Sequence, residues 1–274
     1  MKKSKFLCIV AGQRAGTTAL QSALAGTARF ANFKEIFHTD PPGEDKSGYY
    51  LDFARAQQLT LDDLASTPRA TQVAHAYLDH LEAMAGERTP LIDVKLNSWH
   101  ALRPFWWYVH QEPFFMQQLI ERGCLFLFIR RRSVLDQVLS EQIARVTQKW
   151  HQLEDAEVPE GVEVNVQQVR NQARLIIQSE NFLWGCLRQR AKCVAVEYDE
   201  LYQDGAVNPA VIDVLRETFE VKLPETVTPP IQKNAGKKKS IVENYAEAED
   251  VVRQVIQNNP RPNIEWLKVH NPRA

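Results

Sequence analysis

The stretch FLCIVAGQRAGTT, residues 6–18, decides the fold. Its first half, Phe6 to Val10, is a continuous run of apolar residues, the pattern of a strand covered on both faces. Its second half sets Gly12 and Gly16 around Arg14 and then passes into the helical pattern of Thr18 to Ala25, so the run reads strand, glycine loop, helix. In that context successive backbone N–H groups and the positive end of a helix dipole converge on one point, which suits an anion. The same residues also suit a bare strand-to-helix turn with Thr17 or Thr18 as the cap, and the loop alone leaves both readings open.

A nucleoside triphosphatase loop reads G-x-x-x-x-G-K-[ST], and its lysine reaches the outer phosphates. Here Thr17 follows Gly16 directly and the loop is one residue shorter, which argues against triphosphate chemistry. Arg14 brings the positive charge from inside the loop, as a planar fork able to grip phosphate or sulfuryl oxygens.

Three further apolar runs read as buried strands: Leu91 to Leu96, Leu125 to Ile129 and Val194 to Tyr198. Helical spacing appears over Ala70 to Ala85, Ser133 to Trp150, Val166 to Arg190, Asn208 to Phe219 and about Val242 to Asn258, with Pro209 after an asparagine cap. Strands alternating with helices predict an α/β fold of the P-loop type, a doubly wound parallel sheet flanked by helices. Ligand chemistry in such a sheet gathers beyond the carboxyl ends of the strands. Leu223 to Pro230 reads as a proline-rich linker. The whole chain, 1–274, reads as one domain on which a C-terminal basic segment and helix, about 231–258, packs.

The second strand end of interest is Arg130-Arg131-Arg132-Ser133, followed by a helix carrying Asp136 and Ser140. Concentrated guanidinium groups plus a nearby hydroxyl suit a phosphate monoester. Three like charges at the end of an apolar strand also repel one another, which favours an anion between them over a solvated turn.

A formal net charge of -1 over 274 residues excludes a global positive field for nucleic acid, so any anion site is local. Cys8, Cys124, Cys186 and Cys193 form no C-x-x-C pair and sit mainly among apolar residues, which predicts buried thiols and a cytoplasmic setting. The run Phe6 to Ala11 is too short for a signal-peptide core, and no segment reaches the length of a membrane span.

Together the two motifs resemble the sulfotransferases that use 3′-phosphoadenosine 5′-phosphosulfate (PAPS) and release 3′-phosphoadenosine 5′-phosphate (PAP). That family binds the 5′-phosphosulfate with an R-[ST]-G-[ST]-T loop, which Arg14, Ala15, Gly16, Thr17 and Thr18 match with Ala15 as a departure. It binds the 3′-phosphate with an arginine eight residues before a serine, the spacing of Arg132 and Ser140, with Arg131 as the alternative. The pattern is nearest to the bacterial trehalose sulfotransferase branch, through Phe33-Lys34-Glu35-Ile36-Phe37, Val94-Lys95-Leu96, Gln137 and Ser140 with Trp150 and His151, and Glu197 to Leu201.

The resemblance implies an enzyme without a required metal, in which Glu35 is the general base and burial beside Phe33 and Phe37 tunes it, and Arg14 and Lys95 neutralise charge on the transferring group. Lys95 has a structural alternative as partner of Asp93. His38 and His100 are alternative bases. Lys237 and Lys238 are candidates to close over the 3′-phosphate, although such a run, with Lys233 and Lys239, is also an ordinary solvated face. The aromatic cluster Trp99, Phe105, Trp106, Trp107 and Tyr108 reads first as core or interface and second as a sugar-stacking surface. The implied acceptor is a hydroxyl of a carbohydrate, glycolipid or small metabolite, and the branch implies a homodimer. A P-loop kinase or hydrolase and a noncatalytic nucleotide-binding module are the competing classes.

Overall fold

The computed structural model describes residues 5–38, 46–60, 63, 67–96, 98, 113–147, 161–230 and 238–271. Four strands fall where the apolar runs place them: β1 (Leu7–Ala11), β3 (Thr89–Lys95), β4 (Leu125–Arg130) and β5 (Lys192–Glu197). Sequence periodicity passed over β2 (Phe30–Glu35), because only its first two residues are buried. Two dipeptides, β6 (Tyr202–Gln203) and β7 (Ala206–Val207), form a separate hairpin, and β8 (Val269–His270) closes the chain.

The main sheet has the order β2-β3-β1-β4-β5-β8. Its first five strands are parallel in every pairing, and β8 adds an antiparallel edge along Cys193 and Val194. A parallel sheet needs cover on both faces, which explains why every residue of β1 and β4 is buried.

The helices are α1 (Thr17–Ala25), α2 (Tyr50–Ala56), α3 (Thr67–Ala85), α4 (Phe114–Glu121), α5 (Val134–Thr147), α6 (Val166–Arg190), α7 (Pro209–Phe219), α8 (Lys238–Ile241) and α9 (Tyr245–Asn258). One sheet face packs Leu7, Ile9 and Leu127 against Leu20 and Leu24 of α1 and Leu215 and Phe219 of α7. The other packs Cys8, Val10 and Phe128 against Tyr77 of α3, Phe115 of α4 and Trp184 of α6. Alternation along each strand thus divides the core into two layers, the doubly wound arrangement. A third cluster joins α5, α6 and α9 through Val138, Ile177 and Val252.

Asn208 caps α7 by accepting from Ala210 N, with Pro209 at the first helical position, as its sequence reads. The helix begun at Ser133 runs to Thr147, and Trp150 and His151 lie outside the described residues. The linker reading of Leu223 to Pro230 needs correction. Leu223 and Val227 are buried on the α7 side of the sheet, and Val227 O accepts from Val207 N, so apolar anchors hold this segment to the core. Cys8, Cys124 and Cys193 are buried free thiols, and burial pushes all three well up from the ordinary thiol range. No helix among the described residues is long and apolar enough to cross a membrane.

Candidate active site

The parallel strands deliver Ala11, Lys95, Arg130 and Glu197 to one edge of the sheet. The loop after Ala11 turns back over that edge with Arg14 at φ 62° and Gly16 at φ 71°, two left-handed residues that swing the chain into α1. Glycine is required at 16 for a second reason: a Cβ there would stand 2.1 Å from Cε2 of Tyr198. The Tyr202 hydroxyl donates to Gly16 O at 3.2 Å, and Gln137 Nε2 donates to Gln13 O at 2.8 Å. Gln137 keeps a buried Oε1 with no hydrogen-bond partner among the described residues. These contacts hold the loop's carbonyls from outside and fix its shape before any ligand arrives.

Thr17 is not a helix cap of the ordinary kind. Its hydroxyl donates to Asp93 Oδ2 at 2.6 Å, Gln21 Nε2 donates to the same oxygen at 2.5 Å, and Lys95 Nζ lies 2.6 Å from Asp93 Oδ2 and 2.5 Å from Thr17 Oγ1. Asp93 and Lys95 are two residues apart on β3, hence on one face of the pleat, and both are buried. In nucleoside triphosphatases a hydroxyl following the loop and a strand-end aspartate hold Mg²⁺. Here the same two groups close on an ammonium. Among the described residues no group of three or more His, Cys, Asp or Glu side chains converges as a metal site would.

Glu35 joins this cluster through a local irregularity. Asn32 pairs with Leu91 and Glu35 with Asp93, so three steps on β2 match two on β3. Lys34 absorbs the extra residue at φ 58°, its N–H held by Asn32 Oδ1 at 2.9 Å. Such a bulge re-aims a side chain. Without it Lys34 would stand beside Asp93, whereas with it Glu35 Oε1 lies 3.5 Å from Lys95 Nζ. The sequence placed Glu35 among aromatic rings; the structure leaves its side chain 31% exposed and beside a cation, because the bulge turns it to the sheet edge. His38 is exposed and its N–H bonds to Glu35 O.

The three arginines after β4 part company. Arg130 is buried, lies 4.6 Å over the Trp266 ring and reaches Glu197 at 3.5 Å. Arg131 turns toward the loop, donating to Arg14 O at 3.2 Å and lying 4.9 Å over the Tyr198 ring. Arg132 points to solvent and donates to Glu197 Oε2 at 2.7 Å and Glu200 Oε1 at 3.0 Å. Mutual repulsion therefore does not by itself demand an anion here, since carboxylates and rings separate the three charges. Ser140 accepts from Arg14 Nε at 3.1 Å, so it faces the first arginine motif and not Arg132. Burial, then the neighbouring Arg131, pulls the Arg14 guanidinium down from its ordinary value, an environment that an anion between the two would relieve.

Lys237, Trp99, His100 and Phe105 to Tyr108 lie outside the described residues, as does the side chain of Lys238, at the start of α8. Sequence reasoning passed over Tyr198 as the ring under Gly16, over Gln137 as the loop's clamp and over the Asn32–Glu35 bulge. The positive φ of Lys34 carries no sequence signal. The short loop did carry one for Tyr198, since a glycine that must stay bare predicts a bulky neighbour. Beside the loop, Gly12, Gln13 and Leu96 open onto a cleft of about 330 Å³ that is also lined by the charged Glu141 and Arg145, by Gln142, Gln168, Asn171, Gln172 and Ser179, and by Leu175 and Ile176.

A mainly parallel sheet flanked by helices, with a glycine loop between β1 and α1 and a strand lysine beside it, is an α/β domain of the phosphate-loop type. The chain belongs to the Stf0 sulphotransferase family, whose model matches residues 6–247, and it is accordingly a sulfotransferase. No curated protein matches the chain. Among solved structures, a GTPase from Pyrococcus abyssi in its apo form is similar at 11% identity, over 72% of this chain and 92% of that one, with a TM-score of 0.31.

Proposed function

We propose that the chain transfers a sulfuryl group from PAPS to a hydroxyl of a carbohydrate, glycolipid or small polyhydroxylated metabolite, with Glu35 as general base. The observation that carries this reading is the Lys95 ammonium, which touches Thr17 of the loop and stands 3.5 Å from Glu35. A base and an anion cradle thereby share one cation, and the acceptor's hydroxyl oxygen would attack beside it. As that oxygen bonds to sulfur, its proton passes to the Glu35 carboxylate. The bond from sulfur to the bridging phosphate oxygen breaks, and PAP leaves with the electron pair.

The loop fits the 5′-phosphosulfate. The peptide N–H groups of residues 15–18 end at a helix N-terminus, Arg14 belongs to the loop itself, and Lys95 reaches Thr17 Oγ1. Because transfer runs through a loose transition state, aiming fixed cations at the oxygens is the main catalytic requirement. Arg132 would hold the 3′-phosphate, exchanging Glu200 for the ligand, with Ser140 turning from Arg14 to the same phosphate and Arg131 as the alternative cation. The cleft beside Gly12 suits an acceptor rich in hydroxyls, since its carboxamides, Ser179, Glu141 and Arg145 supply both donors and acceptors while Leu175 and Ile176 offer apolar surface to sugar faces.

PAPS and PAP should raise the thermal midpoint by mass action while ATP does not. Glu35→Gln should bind PAP normally and lose turnover by at least about a hundredfold, the ordinary worth of a general base. Stabilisation by ATP alone would overturn the donor assignment, and a Glu35→Gln enzyme with wild-type turnover would remove Glu35 from the base role.

A further inference from the structure

The C-terminal segment beyond α9 lies outside residues 6–247 that match the family, and it is tied to the site at several points. Asn181 of α6 donates to Pro260 O at 3.0 Å, Arg130 donates to Pro262 O at 3.1 Å, and Leu267 N donates to Ala195 O at 2.9 Å. Ile264 is buried in the main core, and β8 then adds to the sheet edge along β5. Anchored in this way, the segment presents Arg261 to the turn that follows β4.

Arg261 uses its whole fork. Nε and Nη2 donate to Glu180 Oε2 at 3.0 and 2.8 Å. Nη2 also donates to Arg131 O at 2.8 Å, and Nη1 to Arg132 O at 2.9 Å. Its side chain is 13% exposed and that of Glu180 is 2% exposed, so the geometry is enclosed and not a passing surface pair.

Two consecutive carbonyls held on one cation define the peptide planes of the turn. Because a trans peptide points its C=O and N–H in opposite directions, the N–H groups of Arg132 and Ser133 are aimed away from Arg261. The same contact quenches two carbonyl dipoles that would otherwise repel a phosphate near the turn. It also sets the backbone from which Arg131 reaches Arg14 O and the Tyr198 ring. Glu180 completes the arrangement by holding the guanidinium in register, and burial moves its carboxyl up to about 7 despite Arg261 and Arg130 nearby.

We infer that Arg261, held by Glu180, is a positioning residue for the donor site: it locks the Arg131–Arg132 turn in the form that accepts the 3′-phosphate. This rests on the reading that the turn binds that phosphate. Lysine cannot replace it, because one ammonium cannot span both carbonyls and Glu180 in a plane.

The test measures, by calorimetry, binding of PAP and of AMP, which lacks the 3′-phosphate, to the wild-type chain and to Arg261→Gln, Arg261→Lys and Arg132→Ala. For both Arg261 variants the affinity for PAP should fall about tenfold while that for AMP changes less than about twofold. In turnover assays the KM for PAPS should rise by a similar factor with kcat at saturating donor nearly unchanged. Should Arg261→Gln fail to fold, Arg261→Lys keeps a cation against Glu180 and decides the matter. If Arg132→Ala lowers PAP binding selectively and neither Arg261 variant does, the positioning role is overturned and the donor reading stands. If PAP and AMP bind the wild type equally well, the donor reading at this turn fails, and the inference with it.

Discussion

Replacing Lys95 by methionine keeps the unbranched stem of the side chain, one atom shorter, and removes its charge from a pocket where Lys95 is 5% exposed and Asp93 fully enclosed. Breaking a buried ion pair from one side costs about 3–5 kcal/mol, because the other charge is left without compensation. Asp93 Oδ2 would keep its hydrogen bonds from Thr17 and Gln21, which places the expected loss at the lower end, about 3 kcal/mol. For a chain of this size that is a fall in thermal midpoint of roughly 6–12 °C. Asp93→Asn alone strands the Lys95 ammonium and should also destabilise, whereas the double variant removes both charges and should recover to within about 1 kcal/mol of the wild type, well short of the sum of the two single losses. Urea unfolding followed by tryptophan fluorescence measures all four corners of the cycle. A single Lys95→Met variant that loses less than about 1 kcal/mol, or a double variant as unstable as the sum of the singles, would refute the view that Lys95 is the compensating charge for Asp93. In the folded Lys95→Met protein, assayed well below its midpoint, turnover should fall while the cleft still binds acceptor.

Gly16→Ala should cost about 1–2 kcal/mol for a left-handed alanine, plus the displacement of the Tyr198 ring, and should weaken PAP binding. Tyr198→Leu in the same background should restore the steric part, and unchanged binding in Gly16→Ala would show that the loop does not need the close approach. Glu180 gives a pH signature: its carboxyl sits at about 7 against an ordinary 4.5, so the folded state holds the extra proton between those values and stability falls as pH rises from 4.5 to 7. Glu180→Gln should flatten that fall by roughly 3 kcal/mol in denaturation midpoints compared across pH 4.5 to 8, and an unaltered pH profile would remove Glu180 as its source.

How far the sequence carried the reading depends on whether a residue's role is local. Strands β1, β3, β4 and β5 are readable because burial on both faces writes itself as an apolar run, and the loop after β1 because its glycines and the following threonine sit in one short window. Asp93 and Lys95 were legible as a pair through their two-residue spacing on a strand. β2 was not, since an edge strand with a bulge has neither a continuous run nor clean alternation, and so Glu35 was reached only by its position in a five-residue pattern. The contact of Ser140 was not legible for a related reason: a spacing fixes which helix turn a hydroxyl occupies, but that its Oγ accepts from Arg14 emerges only from packing.

Arg261 lies at the far limit of this logic. It is 129 residues from the carbonyl of Arg132 that it holds, and it bonds to backbone, which any residue type supplies. A contact to a carbonyl therefore leaves no trace in the identity of its partner. The only sequence signature it has is its own guanidinium and the buried Glu180, two residues separated by 81 positions and by the whole of β5 and α7. A reading of sequence can locate the groups that touch a ligand when chemistry restricts them to a few residue types. The groups that hold those residues in place emerge only once the chain is folded, because backbone geometry and not side-chain identity is what they act on.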